Sequence, residues 1–140
     1  MVDQEMTGPI VQTACFCAGI KSMDIDEESF KPGSFLYYCD PTEGTDKMGK
    51  PVKPSWYVDI SDEIEVKDRM PACHESQRSR LLSHHESEYI FAMKRFSEKR
   101  GKEVKTGSAK GFRQHPGHGS HPGTVLNEIP GESVIVKTSD

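Results

Sequence analysis

The sequence has no long apolar run, few aromatic residues and no excess of basic charge. Apolar residues make up 34% of its 140 positions and aromatic residues 8%, with a net charge of -4. Such short apolar runs exclude a membrane-spanning segment, and the N-terminus lacks the basic and apolar regions of a secretion signal. The acidic balance disfavours nucleic-acid binding. We therefore expect one cytoplasmic domain with a modest core and without membrane or nucleic-acid partners.

Cysteine is also scarce. The chain has only 4 cysteines, at positions 15, 17, 39 and 73, which is too few for a disulfide framework. Cys15 and Cys17 are separated by one residue, and no second close pair exists, so the spacing is not that of a structural zinc site. The pattern predicts reduced, buried and unreactive thiols.

Three stretches have the apolar spacing of helices. Residues 7–20 carry one apolar stripe, with a threonine as N-cap and a proline in the first turn. Residues 62–76 form a second helix, which we expect Pro71 to kink. Residues 79–100 have the clearest periodicity, and Gly101 is the expected end of that helix.

Two stretches are predicted to be strands of an α/β fold. Residues 34–39 are aromatic and almost continuously apolar, which predicts a strand covered on both faces. Residues 55–60 alternate between apolar and polar types, which predicts one buried face. The polar, glycine-rich stretch 101–124 is predicted to be irregular, and residues 134–136 suit a short terminal strand.

The segment HPGHGSHPG places His115, His118 and His121 three residues apart. Three imidazoles at this spacing are able to bind a transition metal. The surrounding glycines and prolines indicate a flexible tail, whereas a catalytic metal needs rigid ligands. We therefore interpret the three histidines as an adventitious metal binder, and their role stays open.

The order of three further motifs is informative. PSWYVDIS occupies residues 54–61, a helix with lysine followed by HESQ occupies 67–77, and an RG…AKGF segment occupies 100–112. Together they resemble the C-terminal half of the LmbE/PIG-L family of zinc-dependent N-acetylglucosaminyl deacetylases, in which the last segment has an acid where this chain has Lys110. The resemblance extends over about residues 3–114.

The resemblance implies a Rossmann-like α/β fold and a hydrolase that removes N-acetyl groups from glucosamine-containing conjugates. Residues 1–114 would then form the C-terminal half of the domain, with about two core strands and three helices. Residues 115–140 would be a flexible extension that ends near the short terminal strand. Gln77 matches a family position that lines the substrate pocket, and the alternative is that it caps the end of its helix.

The resemblance also locates a gap in the metal site. In the family, an A-H-P-D-D-E loop supplies two zinc ligands and the catalytic base, and no such loop occurs in these residues. A third ligand comes from an H-P-D-H segment, on which Met1 and Gln4 occupy the two histidine positions and Asp3 the aspartate position. An amide is a poor substitute for imidazole, so the resemblance implies that the chain alone binds zinc weakly or not at all.

Three interpretations follow from this gap. The chain is a fragment of a deacetylase-like protein, or one half of an enzyme completed by an N-terminal half or another copy, or a non-catalytic relative. We favour the first interpretation, because a small remnant of a sheet leaves exposed strand edges. An alternative from a different class is an interaction module without enzymatic activity, which pairs with partners through an exposed strand edge.

Overall fold

The computed structural model has a mixed α/β fold. It describes residues 2–21, 28–30, 33–41, 43–73, 86–118, 120–126, 128 and 135–137. In chain order the elements are α1 (Val2–Cys17), β1 (Tyr37–Cys39), β2 (Trp56–Asp59), α2 (Ile64–Ala72), α3 (Glu86–Val104), β3 (Ala109–Gln114) and β4 (Ile135–Lys137). Two compact units divide the chain, one of Met1–Tyr38 with Gln114–Ile129 and one of Cys39–Arg113 with Pro130–Asp140. None of the helices described is long and apolar enough to cross a membrane.

The strands form one sheet in the order β1-β3-β2-β4. Strand β2 pairs antiparallel with β3, with Trp56 opposite Phe112, and antiparallel with β4, with Tyr57 opposite Val136. The prediction of a short terminal strand is confirmed, whereas the prediction of an irregular stretch over 101–124 is wrong. Strand β3 has the sequence AKGFRQ, whose few apolar residues give no strand signal, so pairing with β2 determines its conformation.

The predicted second strand is confirmed, but its predicted burial is wrong. Trp56 and Tyr57 are both buried although they point to opposite faces, while Val58 and Asp59 are half-buried. Strand β2 lies between two other strands, and α3 packs against it. A central strand covered in this way does not need to alternate between buried and exposed side chains.

The first predicted strand is shorter and less covered than expected. Only Tyr37–Cys39 is a strand, and both Phe35 and Cys39 are exposed. Ser34 forms an isolated parallel bridge to Ser120 instead of continuing the strand. The prediction of coverage on both faces is therefore wrong.

Helix α1 is confirmed, with different ends. It begins at Val2, so the threonine at position 7 is not its N-cap, and Pro9 lies inside the helix instead of in its first turn. The hydroxyl of Thr13 donates a hydrogen bond to the carbonyl of Pro9 (2.9 Å). Side chains 5–14 are exposed, so the apolar stripe on which the prediction rested is not buried.

The other two helices differ from their predictions mainly at their ends. Helix α2 is shorter than predicted, with Pro71 in its last turn. Helix α3 continues past Gly101 to Val104, and Lys105, with a φ of 63°, follows it. A Cβ at Gly101 would lie 2.7 Å from the carbonyl oxygen of Thr106, so the glycine permits a close approach instead of ending the helix. Residues 79–85 of the predicted helix lie outside the described residues.

The cysteines are free, and two of them contradict the predicted burial. Cys39 and Cys73 are exposed, while Cys15 and Cys17 are half-buried. Cys39 lies at the end of a strand of only three residues, and Cys73 follows the last residue of α2, so neither position has elements that cover it on both sides.

Candidate functional site

The Arg100 cluster is the best-ordered polar group in the described part of the chain, and it consists of Asp40, Tyr57, Arg100 and Glu103. Arg100 lies in α3, and its Nε donates to Asp40 Oδ2 (2.7 Å) while Nη2 donates to Asp40 Oδ1 (3.2 Å). The two side chains are 7% and 0% exposed, and they are 60 positions apart in the sequence. This bidentate geometry is the strong form of an ion pair.

The remaining guanidinium nitrogens of Arg100 are also bonded. Nη1 donates to both carboxylate oxygens of Glu103 (2.9 Å each), and Nη2 donates to the carbonyl of Val52 (2.8 Å). The guanidinium carbon lies 5.0 Å from the centre of the Phe96 ring. Burial lowers the pKa of Arg100, but the hydrogen bonds to the two carboxylates outweigh it and raise the pKa overall. The cation is therefore compensated on every side.

Tyr57 connects the Arg100 cluster to the centre of the sheet. Its hydroxyl donates to Glu103 Oε2 (2.7 Å). Burial, followed by this hydrogen bond and the charge of Glu103, raises the pKa of Tyr57 to about 12. The phenol is consequently a neutral donor at physiological pH, and its position depends on the same carboxylate that Arg100 holds.

Two lysines lie on the same unit as the Arg100 cluster. Lys110 Nζ donates to the carbonyl of Asp40 (3.1 Å), and Lys67 Nζ donates to the hydroxyl of Ser97 (2.6 Å), which is almost fully buried. Burial and then the positive charge of Lys110 lower the pKa of Lys67, and Asp68 opposes this effect. The positive charge of Lys110 therefore repels that of Lys67.

The end of the PSWYVDIS motif is bonded to the loop before β3. Asp59 Oδ1 accepts hydrogen bonds from the amide of Ser61 (2.9 Å) and from its hydroxyl (2.5 Å). The hydroxyl oxygen of Ser61 in turn accepts from the amide of Ser108 (3.0 Å). Asp59 and Ser61 do not cap α2, because Glu63 occupies its N-cap position, without a side-chain hydrogen bond. The two residues fasten the ends of β2 and β3 instead.

The residues that the resemblance selected fall largely outside what the structure describes. Asp3 and Gln4 belong to the first turns of α1, and their side chains, like Met1, lie outside what the structure describes. Gln77 also falls outside the described residues. Asp40, Tyr57 and Arg100 were not predicted to form a site, because each lies in a different segment of the sequence. The one available signal was the arginine at the start of the RG…AKGF segment.

The histidine-rich segment is bonded to residues 34–38 of its own unit. The amide of His115 donates to the carbonyl of Leu36 (2.9 Å), and its Nδ1 lies 2.9 Å from the hydroxyl oxygen of Tyr38. The amide of His121 donates to the carbonyl of Ser34 (3.1 Å). Hydrogen bonds therefore link His115 and His121, near the two ends of this segment, to residues 34–38.

The described residues do not fit a catalytic zinc ion. Within the described ranges, no group of three or more histidine, cysteine, aspartate or glutamate side chains is placed to hold a metal. His115 and His121 line a cavity of about 350 Å³, and Nδ1 of His121 accepts a hydrogen bond from the amide of Gly123 (3.0 Å), so that atom is already engaged. We derive no metal-dependent step from these side chains.

Comparison with known proteins does not identify a relative. No protein-family model matches the chain, and no match is found among curated proteins or solved structures.

Proposed function

We propose that this chain forms the C-terminal, sheet-bearing portion of a zinc-dependent N-deacetylase of the LmbE/PIG-L type, with a Rossmann-like parent fold. One observation carries the proposal. The segments 54–61 and 100–112, which hold two of the family-like motifs, pair directly as neighbouring strands, with Trp56 opposite Phe112 and Asp59 opposite Ala109. Residues that were selected only because they resemble two motifs in order are thus brought together in space.

The buried contacts between these segments add support. Gly111, in the AKGF part of the motif, lies against Pro54 of the other motif, where a Cβ would be 2.5 Å from the proline Cγ. Arg100, at the start of the same segment, reaches the Tyr57 hydroxyl through Glu103. The identities of these motif residues therefore have a shared structural reason, as expected for parts of one scaffold.

The proposed reaction requires more than this scaffold. Hydrolysis of an acetamide near neutral pH needs a zinc ion to polarise the carbonyl and to activate water, and a carboxylate to accept the proton. The A-H-P-D-D-E loop that supplies these groups in the family is absent from the 140 residues. We therefore propose that the chain is inactive alone, that another polypeptide segment supplies the zinc ligands and that Asp3 is a catalytic residue contributed by this chain.

The test is a complementation assay. Purified, untagged chain is incubated with zinc and N-acetylglucosamine conjugates, alone and together with the N-terminal half of a family deacetylase that carries the A-H-P-D-D-E loop. We expect acetate release only from the mixture. The matched control is the same half with both loop histidines replaced by alanine, which should release none. Turnover and stoichiometric zinc in the isolated chain, or no release from a mixture in which both halves are folded, would reject the proposal.

The interaction-module alternative receives less support from the geometry. Strands β1 and β4 are the outer strands of the sheet, and each is three residues long. Short outer strands present few free backbone groups to a partner. Sedimentation of the purified chain over a range of concentrations tests this alternative, which requires association through the sheet.

A further inference from the structure

The outer face of α3 forms one wall of an open cavity of about 680 Å³. This volume is within the range of about 300–1,000 Å³ that small-molecule sites occupy. Its lining residues are Glu43, Ala92, Arg95, Phe96, Glu98, Lys99 and Lys102. Arg100 and Glu103, which belong to the Arg100 cluster, are not among these lining residues.

Three of the lining residues are cations. Arg95, Lys99 and Lys102 follow each other at spacings of four and three, which places them on one face of the helix. The ion pairs found among the described residues involve none of the three. The guanidinium of Arg95 lies over the ring of Phe91 (5.9 Å to its centre) and so retains its hydrogen-bond donors.

The acidic residues of the cavity only partly offset these charges. Glu98 acts on Lys94, whose pKa is raised first by the hydrogen bond and charge of Asp68 and then by Glu65 and Glu98. Glu43 is the lining residue that does not belong to α3. A chain with a net charge of -4 therefore has a locally cationic groove at this place.

Phe96 and Ala92 give the groove an apolar surface between the charges. One face of the Phe96 ring is covered by the Arg100 guanidinium, and the side chain is half-buried. A flat aromatic ring is well matched to such a surface, because the contact between two aromatic groups contributes free energy in addition to that from the area they bury.

We infer that this cavity binds a small phosphate ester that carries a flat ring and has the size of a nucleoside monophosphate. The phosphate lies between Lys99, Lys102 and Arg95, which supply charge-assisted donors. The ring packs on Phe96, and sugar hydroxyls donate to the carboxylate of Glu43. This site is independent of the proposed deacetylase function.

The test uses adenosine 5′-monophosphate as the probe and isothermal titration at low and at moderate salt. We expect adenosine 5′-monophosphate to bind more tightly than either adenosine or inorganic phosphate. We also expect its binding to weaken as the salt concentration increases, because the cations are exposed to solvent. Equal affinity for adenosine or for phosphate alone would overturn the inference, since one half of the ligand would then contribute nothing.

Two double variants locate the site. Replacing Lys99 and Lys102 by methionine should weaken binding of the probe about tenfold or more, the effect of removing one or two charge-assisted contacts. Replacing the exposed Lys21 and Lys53 by methionine changes the net charge equally and should leave the affinity within about twofold. An equal loss of affinity in both double variants would contradict the inference. Self-association of the chain that depends on its concentration and is abolished only by replacing Lys99 and Lys102 would also contradict it.

Discussion

The Arg100 cluster and helix α1 differ in a way that their sequences do not suggest. Polar residues form the cluster, yet Asp40 and Arg100 are buried. The helix carries an apolar stripe, yet Met6, Ile10 and Phe16 are 53%, 61% and 47% exposed. Local apolar pattern therefore does not determine which part of this chain is best packed.

The physical reason lies in how each region is held. A buried charge is tolerated only when partners satisfy it, and a bidentate contact from a distant segment does so for Asp40. Side chains 5–14 of helix α1 are exposed, and backbone hydrogen bonds by themselves stabilise a helix of this length only marginally. Changes in the cluster should consequently affect global unfolding, and changes in α1 should affect local helix content.

The largest effect is expected for Arg100→Met. Without the guanidinium, Asp40 keeps a buried charge with no counter-ion, and we expect a loss of about 3–5 kcal/mol in the free energy of unfolding. Urea unfolding, monitored by the fluorescence of Trp56, the single tryptophan of the chain, measures this loss of stability. Arg95→Met in the same helix is the control and should change stability by less than about 0.5 kcal/mol. If the methionine variant does not fold, Arg100→Lys should fold with an intermediate loss, and equal stability of all variants would contradict a structural cluster.

Gly111→Ala should have the next largest effect. The added Cβ would meet Pro54 Cγ at 2.5 Å and Asp40 Oδ2 at 3.0 Å, so strand β3 must move away from the motif that it packs against. We expect a loss of about 1–3 kcal/mol, the usual cost of overpacking. The same urea titration measures the effect, and an unchanged midpoint would show that the two motifs do not pack as described.

The pH dependence of stability isolates Tyr57. Its pKa is raised from 10.0 to about 12 in the folded chain, so its contribution is complete below pH 10 and is lost as the pH rises towards 12. After allowance for solvent screening, we expect this loss to be about 1–2 kcal/mol. Unfolding titrations of the original chain and of Tyr57→Phe at several pH values separate this loss of stability from the effect of lysine titration, because both chains contain the same lysines. Identical slopes above pH 10 would contradict the hydrogen bond to Glu103.

The smallest effect is expected in α1. A Cβ at Gly8 has no heavy atom within 4 Å, so Gly8→Ala adds helix propensity without a clash. We expect a local gain of about 0.5–1 kcal/mol, seen as higher helical circular dichroism with little change in the Trp56 unfolding midpoint. A large shift of that midpoint would show that α1 unfolds together with the sheet, which would remove the contrast between the two regions.

The amino-acid pattern was informative where a segment decides its own conformation. The apolar periodicity of α3 and the aromatic, β-branched residues of β2 predicted the element type correctly in both cases. Helix ends were predicted less well, because Gly101 serves a contact with Thr106 and not a helix stop. Strand β3 was missed, because AKGFRQ has no pattern of its own and becomes a strand by pairing with β2.

The Arg100 cluster could not be predicted from the sequence, because it too depends on contacts between distant segments. Asp40 lies in a segment that reads as a loop, and Arg100 reads as the end of an exposed helix, yet they are each other's closest partners. The family-like motifs indicated which segments matter, but they did not indicate that a tyrosine on β2 and a glutamate on α3 share a proton-donating contact.

By itself, the sequence determined the helical character of α1, α2 and α3, the strand β2, the acidic balance and the absence of a membrane-length apolar run, because these depend on residues close together in the chain. Tertiary structure alone decided which charges are buried and which glycines permit a close contact. Those properties depend on distances between residues that are remote in sequence, and such distances exist only after the strands have paired.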